Sequence, residues 1–494
     1  MKIKTANIKV EKQAIHFSPD ESRVVTRLFS PRNNKERIEG IIKRILSLPE
    51  KNINHILAQT IENFADRHLD IKRLFKDNFD LINANTNEAY SLLSLDKKLL
   101  IGSYFTKEYS IESAALFNPS IVSHPDQSNV KKGSLRVIIS FRAVGEGHIS
   151  SIVFRKGSID EDGNLIIDTK SDLVEKGKNT SNTIFNKQDF ILKLKEIKSF
   201  EIVKDIINNL LDQFTHKELV NSIKRFKHTI GDKITEFHIT AIDSLLWLVD
   251  STYEINFDTG SSLSGRIIFP VAKTKLRGLE DARFVLFKDN ETSKYYATFT
   301  AFNGQLILPQ LIETEDFIHF KISSFIGEGS ENKGIALFPE KINGKYAVIS
   351  RNDNENLFIM FSDNILYWEN PKLLKTPTFY WELFQIGNCG SPIKTKKGWL
   401  LLTHGVGPVR TYCIGAVLLD LNNPSKVIGI IKEPILVPDE KERNGYVPNV
   451  AYSCGGIIHN NKLILPYAMS DSYSGIAKID IDDILNEMQP IKPK

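Results

Sequence analysis

The sequence predicts a mainly β protein, a β-propeller to which a helical unit has been added. Short apolar strands and polar turns alternate almost without interruption from Thr252 to Ile479. Hairpins of one kind recur there at intervals of roughly 50 residues, as expected when each blade of a propeller packs only on its neighbours. Two segments with helical periodicity interrupt the β-structure. A β-sandwich is the alternative, but the repetition favours the propeller.

The helical segments divide the chain. The first runs from about Arg37 to Leu95, and the second from about Lys187 to Val249 without a proline. We expect the two segments to pack together as one helical unit. The predicted divisions are an N-terminal helical extension (1–98), a first blade region (99–186), a helical insertion (187–250) and the remaining blades (251–494).

The recurring hairpin consists of an apolar strand, a turn rich in Asn, Gly, Lys and Asp, and a second strand that ends in polar residues. It is found in ARFVLFKDNETSKYYATFTAFNG, GIALFPEKINGKYAVISRN, SPIKTKKGWLLLTHGV and GGIIHNNKLILPYAMSD. Because a propeller brings equivalent strand ends to its central channel, residues at these ends should meet. They are Arg142, Asp281, Arg351, His404 and Asp471. Such groups need charged or hydroxyl-rich partners away from water, so they predict a site for a polar ligand.

Composition excludes several classes of function. The 64 basic residues are balanced by 60 acidic ones, which leaves a formal charge of +4 and no general basic field for nucleic acid. The sequence predicts neither a signal peptide nor a membrane-spanning segment. Three cysteines without a CxxC pair indicate a reducing compartment, so the expected location is cytoplasmic. No cluster has the spacing of metal ligands, and no metal is expected.

The most informative segment is RGLEDARFVLFKDNETSKYYATFTAFNG, from Arg277 to Gly304. It places Glu280 and Asp281 just before Arg283 at the opening of a hairpin. Such a group is usually a surface ion pair. A buried carboxylate beside a guanidinium can instead handle a proton.

Several segments, in this order along the chain, resemble glycoside hydrolase family 130. They are FNPSIV with FRAVG, GLEDAR, NKGIALFPEKINGKYAVISR, GNCGSPIKTKKGWLLLTHGV, YCIGAVLLDL, and VPNVAYSCGG with YAMSD. The resemblance covers most of the β-portion and implies a five-bladed β-propeller that acts on β-mannosides. The helical segments resemble those of a longer branch of the family.

The resemblance also implies roles for individual residues. Asp281 matches the general acid, which in this family acts through a sugar hydroxyl. The matches around the mannosyl ring are Asn118, Arg142, Arg283 and Asp471. Those around phosphate are Arg351, His404 and Tyr412, with Asn332 and Lys333 as further candidates. An inverting hydrolase needs a second carboxylate to activate water, whereas phosphate arrives as an anion and needs cations and hydrogen-bond donors.

Three positions depart from the family pattern. Ala282 replaces a proline, Ser350 replaces a histidine, and Glu331 stands where some members carry a basic residue. Glu331 would repel phosphate if it faced the site.

Structural roles compete with the functional ones. His404 could be a satisfied structural histidine and Tyr412 a core aromatic. Arg142 and Arg283 could be partners of Glu146 or Glu280. Trp381 could be a core residue or a platform for an acceptor sugar.

The predicted activity is that of an inverting β-mannoside phosphorylase, which releases α-mannose 1-phosphate from β-linked manno-oligosaccharides, with β-1,2 as the expected linkage. Its partners would be the oligosaccharide and inorganic phosphate, with no cofactor. The alternatives are a β-mannoside hydrolase, a GDP-mannose-dependent mannosyltransferase and a non-catalytic carbohydrate-binding propeller. The helical extension could supply a lid or a dimer face, which leaves a homo-oligomer open.

Overall fold

The structure, a computed structural model, describes residues 3–31, 34–84, 86, 90–180, 183–270, 278–302 and 307–491. It is mainly β, with α-helices in two segments and near the C-terminal end. Arg277, Asn303 and Gly304 of the segment singled out above lie outside the described residues.

The N-terminal part contains strands as well as helices. Its elements are β1 (Val10–Phe17), β2 (Asp20–Leu28), α1 (Lys35–Leu46), α2 (Glu50–Phe64), α3 (Ile71–Asn83), α4 (Leu95–Tyr104) and β3 (Thr106–Glu112). β2 pairs with β3. The expectation that residues 1–98 are helical is therefore wrong for the first strands. In β1 only Phe17 is fully buried, so the sequence carries no alternating apolar signal there.

The first β-region and the insertion follow. The strands are β4 (Ala115–Ser123), β5 (Leu135–Val144), β6 (Ser150–Ile159), β7 (Leu165–Ile167), β8 (Glu175–Lys176) and β9 (Lys178–Thr180). The insertion contains β10 (Ile184–Asn186), α5 (Lys187–Glu196), α6 (Phe200–Asn208), β11 (Gln213–Thr215), α7 (His216–Ile230) and α8 (Glu236–Asp250). Threonine side chains cap α7 and α8 at their N-termini, and Asn186 caps α5.

The two helical segments belong to different hydrophobic cores. The N-terminal helices share a cluster that includes Ile42, Phe75 and Leu100. The helices of the insertion pack instead with strand residues such as Phe154 and Ile312. The expectation that the two segments form one helical unit is therefore wrong, because each covers a different part of the β-structure.

The remaining chain is almost entirely strand. Its elements are β12 (Tyr253–Asn256), β13 (Arg266–Ile268), β14 (Gly278–Asp289), β15 (Thr292–Phe302), β16 (Ile307–Thr314), β17 (His319–Ser324), β18 (Ala336–Leu337), β19 (Tyr346–Ser350), β20 (Leu357–Ser362), β21 (Lys372–Lys375), β22 (Gln385–Asn388), β23 (Ile393–Lys394), β24 (Trp399–Val406), β25 (Tyr412–Leu419), β26 (Val427–Ile430), β27 (Ala451–Tyr452), β28 (Ile457–His459), β29 (Lys462–Met469), β30 (Tyr473–Asp480), α9 (Ile481–Glu487) and β31 (Gln489–Pro490).

The strand pairing divides into successive antiparallel units. β4–β5–β6–β7 form one, and β14–β15–β16–β17 with β12 form the next. One parallel pair, Gly278 with Ser150, joins β14 of the second unit to β6 of the first. The later units are β18–β21, β22–β26 with β31, and β27–β30. All four predicted hairpins are present as the paired strands β14–β15, β18–β19, β23–β24 and β28–β29.

The last unit is completed by the beginning of the chain. β1 pairs antiparallel with β30, with Val10 opposite Ile479 and Phe17 opposite Ser474. The ring of Phe17 packs on Phe141 with centroids 4.7 Å apart. The N-terminal strand thus covers the free edge of β30 and contributes to the core beneath it.

Candidate active site

Two β-bulges, one in each of two antiparallel units, direct side chains into one space. The register between β4 and β5 shifts at Asn118, and that between β14 and β15 shifts at Asp281. Both residues lie in the left-handed region, with φ of 48° and 56°, which Asn and Asp adopt more readily than most residues. The Asn118 Nδ2 donates to Asp281 Oδ1 at 2.6 Å.

Arg142 connects the two acidic residues. Its guanidinium contacts Glu280 Oε1 at 2.9 Å and Asp281 Oδ1 at 3.4 Å. The other oxygen of Glu280 accepts from Lys333 Nζ at 2.5 Å. Glu280 is therefore the structural partner of Arg142, and only about one fifth of the Asp281 side chain is exposed.

Arg283 is buried, and each nitrogen of its guanidinium donates a hydrogen bond to another group of the protein. It donates to Asn388 Oδ1 at 3.0 Å, to the Tyr452 hydroxyl at 2.6 Å and to the backbone oxygen of Asp281 at 2.8 Å. These bonds hold the bulge that carries Asp281. Arg283 was predicted to bind the mannosyl ring, and the geometry gives it this supporting role in addition.

The two aspartates differ in charge state. Burial favours the neutral form of Asp281, but Arg142, Arg283 and the hydrogen bond from Asn118 outweigh it and hold the pKa of that carboxyl below its usual value. Burial and the nearby Asp281 raise the pKa of Asp471 to about 6, although Arg142 and Arg410 oppose the rise. Asp471 has a φ of 51° in the turn between β29 and β30. The site therefore combines an ionised carboxylate with one that titrates near neutrality.

A second group of residues adjoins the carboxylates. Arg351, directly after β19, places its NH1 3.4 Å from Nε2 of His404 on β24. The Gln385 amide, with its oxygen toward Arg351, accepts a further hydrogen bond from NH1. No carboxylate pairs with Arg351 among the described residues, and the groups that bond to its guanidinium there are an imidazole and an amide.

His404 is held in the neutral form. It is 2% exposed, and its Nδ1 lies 3.1 Å from the backbone oxygen of Asn388. Burial, together with the charges of Arg351 and Arg283, lowers the pKa of His404 well below its ordinary value. The ring of Tyr412 stacks on it at 5.8 Å. The three residues predicted to bind phosphate, Arg351, His404 and Tyr412, are therefore contiguous.

The two further residues predicted to bind phosphate, Asn332 and Lys333, bond to other residues of the protein. Asn332 donates to the backbone oxygen of Asn352 and accepts from Asn354 at 3.3 Å. Lys333 is paired with Glu280, the neighbour of Asp281 in the chain. Glu331 is exposed and forms no ion pair within the described ranges.

Three buried polar atoms around these groups have no partner in the part of the chain that the structure describes. They are Asn118 Oδ1, Arg142 Nε and Arg351 Nε. Buried polar groups are nearly always hydrogen-bonded. These atoms are one hydrogen-bond acceptor and two donors on cationic groups. They are suited to bind a ligand that carries hydroxyls and negative charge.

Sequence reasoning missed several neutral residues of the site. Asn388 and Tyr452 hold Arg283, and Gln385 holds Arg351. They lie in segments that carry no charge signal of their own. Trp381 was considered as a sugar platform, but it is 1% exposed and donates to the backbone oxygen of Lys432, so it is a core residue.

Other kinds of site find no support among the described residues. No group of three or more metal-ligating side chains occurs there. No helix in those ranges is long and apolar enough to cross a membrane. A cavity of about 890 Å³ lined by Asn343, Lys345 and Asp363 contains none of the predicted site residues. All three cysteines are free and buried, as expected for small apolar residues.

A family model described as beta-1,4-mannooligosaccharide phosphorylase matches residues 232–490, more than half of the chain. The chain belongs to glycoside hydrolase family 130. Among similar family members is the 1,2-beta-oligomannan phosphorylase of Thermoanaerobacter sp. (strain X514), 38% identical over 42% of this chain and 71% of that protein. The beta-1,2-mannobiose phosphorylase of the same organism is 39% identical over 42% of this chain and 68% of that protein.

A solved family 130 structure is also similar. The complex of Beta-1,2-Mannobiose phosphorylase from Listeria innocua with beta-1,2-mannobiose superposes with a TM-score of 0.45 and 18% identity, over 77% of this chain and 92% of that one.

Proposed function

We propose that the protein is an inverting β-mannoside phosphorylase that releases α-mannose 1-phosphate from β-1,2-linked manno-oligosaccharides. The observation that carries the proposal is Arg351, a guanidinium with a buried free Nε and no carboxylate partner within the described residues. A guanidinium at the site that has no carboxylate partner and has a buried, unpartnered nitrogen is suited to bind an anion from outside the protein. Family membership and two relatives named as β-1,2 phosphorylases support phosphate as that anion.

The proposed architecture is a five-bladed propeller. The antiparallel units β4–β7, β14–β17, β18–β21, β22–β26 and β27–β30 supply five blades, with β1 closing the last one. Contacts at the site support this arrangement, because Asn118, Asp281, Arg351, His404 and Tyr452 each come from a different unit. A crystal structure would test it, and a site assembled by fewer units would contradict it. The division at residues 98, 186 and 250 remains a proposal, which limited proteolysis would test.

In the proposed reaction, phosphate attacks the anomeric carbon from one face of the mannosyl ring while Asp281 supplies a proton to the departing oxygen through a sugar hydroxyl. Asn118, Arg142 and Asp471 would hold the ring. Arg351, His404 and Tyr412 would hold phosphate in line with the bond that breaks. Activation of water by a second carboxylate is then unnecessary.

The low pKa of Asp281 has to be reconciled with its role as a general acid. A general acid must carry a proton, whereas Arg142 and Arg283 favour its loss. Bound phosphate brings negative charge into the site, which raises the pKa of Asp281 and offsets the effect of these cations. The proton would therefore be taken up when both substrates are bound.

Hydrolysis is the second candidate. Asp471 titrates near pH 6 and interacts with Asp281, so it has the character of a base that could activate water. Repulsion of phosphate by Glu331 would also favour water as the attacking group, but Glu331 is exposed and supports hydrolysis less.

The test is sugar release from β-1,2-mannobiose and longer β-1,2-mannosides, with and without inorganic phosphate. Mannose 1-phosphate formed only with phosphate is the expected result. Free mannose formed at the same rate without phosphate would establish hydrolysis instead. Turnover confined to GDP-mannose and an acceptor would indicate a transferase, and binding without turnover would indicate a carbohydrate-binding protein.

A further inference from the structure

The imidazole of His404 is fixed in one orientation. Gly387 lies opposite it in the β22–β24 pairing, and a Cβ at Gly387 would lie only 2.6 Å from Nε2. The ring of Tyr412 stacks on the imidazole, and the ring of Tyr452 contacts it at 4.8 Å. Neighbouring groups therefore leave the imidazole little freedom to rotate, and the direction in which each ring nitrogen points is set by packing.

The hydrogen bond at Nδ1 determines where the ring proton lies. The backbone oxygen of Asn388, 3.1 Å away, can only accept. Nδ1 must therefore donate. In a neutral imidazole the other nitrogen then carries a lone pair, so Nε2 is an acceptor, and the donor that approaches it is Arg351 NH1 at 3.4 Å.

An acceptor inside an anion site discriminates between anions. Sulfate at neutral pH offers only acceptor oxygens, which a lone pair repels. Hydrogen phosphate has the same tetrahedral shape but carries a hydroxyl that can donate. We propose that Nε2 of His404 accepts a hydrogen bond from the hydroxyl of hydrogen phosphate, so that the site selects protonated oxyanions over unprotonated ones of the same shape.

The contact between Arg351 and His404 can be exchanged for this bond. At 3.4 Å it is long for a hydrogen bond, and Arg351 NH1 has a second acceptor in Gln385. Arg351 Nε is free to donate to an unprotonated oxygen of the same anion. The pair would thus present one donor and one acceptor side by side, which matches the P–O⁻ and P–OH groups of hydrogen phosphate.

This inference rests on the proposed phosphorolysis. In that reaction every proton is accounted for. An unprotonated oxygen of the dianion forms the new bond to the anomeric carbon as the glycosidic bond breaks. The departing oxygen takes the proton of Asp281 through the sugar hydroxyl. The hydroxyl on His404 stays with phosphorus, so the product leaves as singly protonated mannose 1-phosphate.

The decisive experiment compares anions on the unmodified enzyme at pH 7.5. Arsenate, which keeps a hydroxyl, should replace phosphate and release mannose. Sulfate and monofluorophosphate, which lack one, should compete with phosphate at least about a hundredfold more weakly than arsenate does, because a site built for a hydroxyl rejects analogues without it. Competition by either at comparable concentrations would overturn the proposal.

Two variants sharpen the test. His404→Gln offers both an amide donor and an acceptor, so sulfate should gain at least about tenfold relative to phosphate. Gly387→Ala should displace the ring and give the same loss of discrimination. Arg225→Gln, on the exposed surface of α7, is the control with altered charge and unaltered selectivity. Unchanged selectivity in a folded His404→Gln enzyme would refute the role of Nε2.

Calorimetric titration of the same anions separates this inference from the proposed function. Tight phosphate and weak sulfate binding without phosphorolysis would remove the proposed activity but keep the selectivity. Phosphorolysis with equal affinity for both anions would keep the activity and remove the inference. Absence of both phosphate binding and phosphorolysis would remove both.

Discussion

At the scale of single residues, turnover is expected to depend most on the carboxyl group of Asp281. Asp281→Asn keeps the shape of the side chain but removes the group that can exchange a proton. We expect the rate to fall at least about a thousandfold while the circular dichroism spectrum stays unchanged. Asp363→Asn, at an exposed ion pair with Lys345, is the control and should keep full activity. An Asp281→Asn enzyme with a tenth of the normal rate would exclude Asp281 as the acid.

Asp471 should reduce stability at neutral pH. Its folded-state pKa of about 6 lies above the ordinary value of 3.8, so the folded protein binds this proton more tightly than the unfolded chain does. The contribution of Asp471 to stability is therefore fully present below pH 4 and is lost as pH rises through 6. At pH 7.5 Asp471→Asn should stabilise the protein by up to about 3 kcal/mol, the equivalent of that shift.

Chemical denaturation of the wild type and Asp471→Asn between pH 4 and 8 would measure this difference. The two proteins should converge at the acid end. A constant difference across the range would mean that titration of Asp471 is not its cause. The variant should also lose activity if Asp471 holds the mannosyl ring.

At the scale of elements, the turn between β24 and β25 is strained. Val409 and Arg410 both lie in the left-handed region, with φ of 56° and 52°, and Val409 is 86% exposed. A β-branched residue rarely adopts this conformation. Val409→Asn should therefore stabilise the protein by about 1 kcal/mol, since Asn tolerates it better.

The measurement is the free energy of unfolding in urea, and an unchanged value would show that the turn is relaxed in solution.

The same turn presents Arg410, whose guanidinium lies over the Tyr412 ring at 5.8 Å. Phosphate kinetics of Val409→Asn would show whether the strain also serves to place this cation.

Hairpins and helices were predictable from the sequence where one physical signal was strong. The pair β14–β15 places apolar runs on either side of a polar turn, and β24 begins with the apolar run WLLL. In contrast, β1 is mostly exposed, so its strand character comes from pairing with β30 and not from its own composition. Its partner lies at the other end of the chain, which a local pattern cannot reveal.

The candidate site was predictable for its ionisable members. Arg142, Asp281, Arg351 and His404 stand at strand ends and meet as expected. The neutral residues that hold these groups in place were not predictable, because the role of an amide such as that of Asn388 depends on the groups that surround it in the fold. The particular role of Arg283, which holds the bulge at Asp281, likewise depends on three acceptors that are distant in sequence.

At the scale of the whole molecule, the N-terminal strand should be indispensable. Removal of residues 1–17 exposes the edge of β30 and uncovers the apolar surface around Phe141, so we expect a large fall in melting temperature and aggregation. Removal of residues 1–5 leaves β1 whole and should have little effect. Light scattering during thermal unfolding measures both, and equal behaviour of the two truncations would contradict the prediction.

The proposed lid or dimer face on the N-terminal helices must be tested without disturbing this strand. Deletion of residues 1–95 would remove β1 together with α1–α3, so a change in solution mass could not be assigned to the helices. Substitutions on the exposed surface of α3, such as Leu81→Lys, leave the strand intact. A dimer that dissociates on this change would place the face there.

The pairing of β1 with β30 also constrains how the protein is made. More than four hundred residues separate the two strands. A ribosome that adds about 5–20 residues per second needs roughly 20 to 90 s to cover that distance. Throughout this time β1 has no partner, and its open edge is available to other nascent chains. The sequence of β1, VEKQAIHF, is largely charged and polar. Such a segment resists aggregation until β30 has been synthesised and can pair with it.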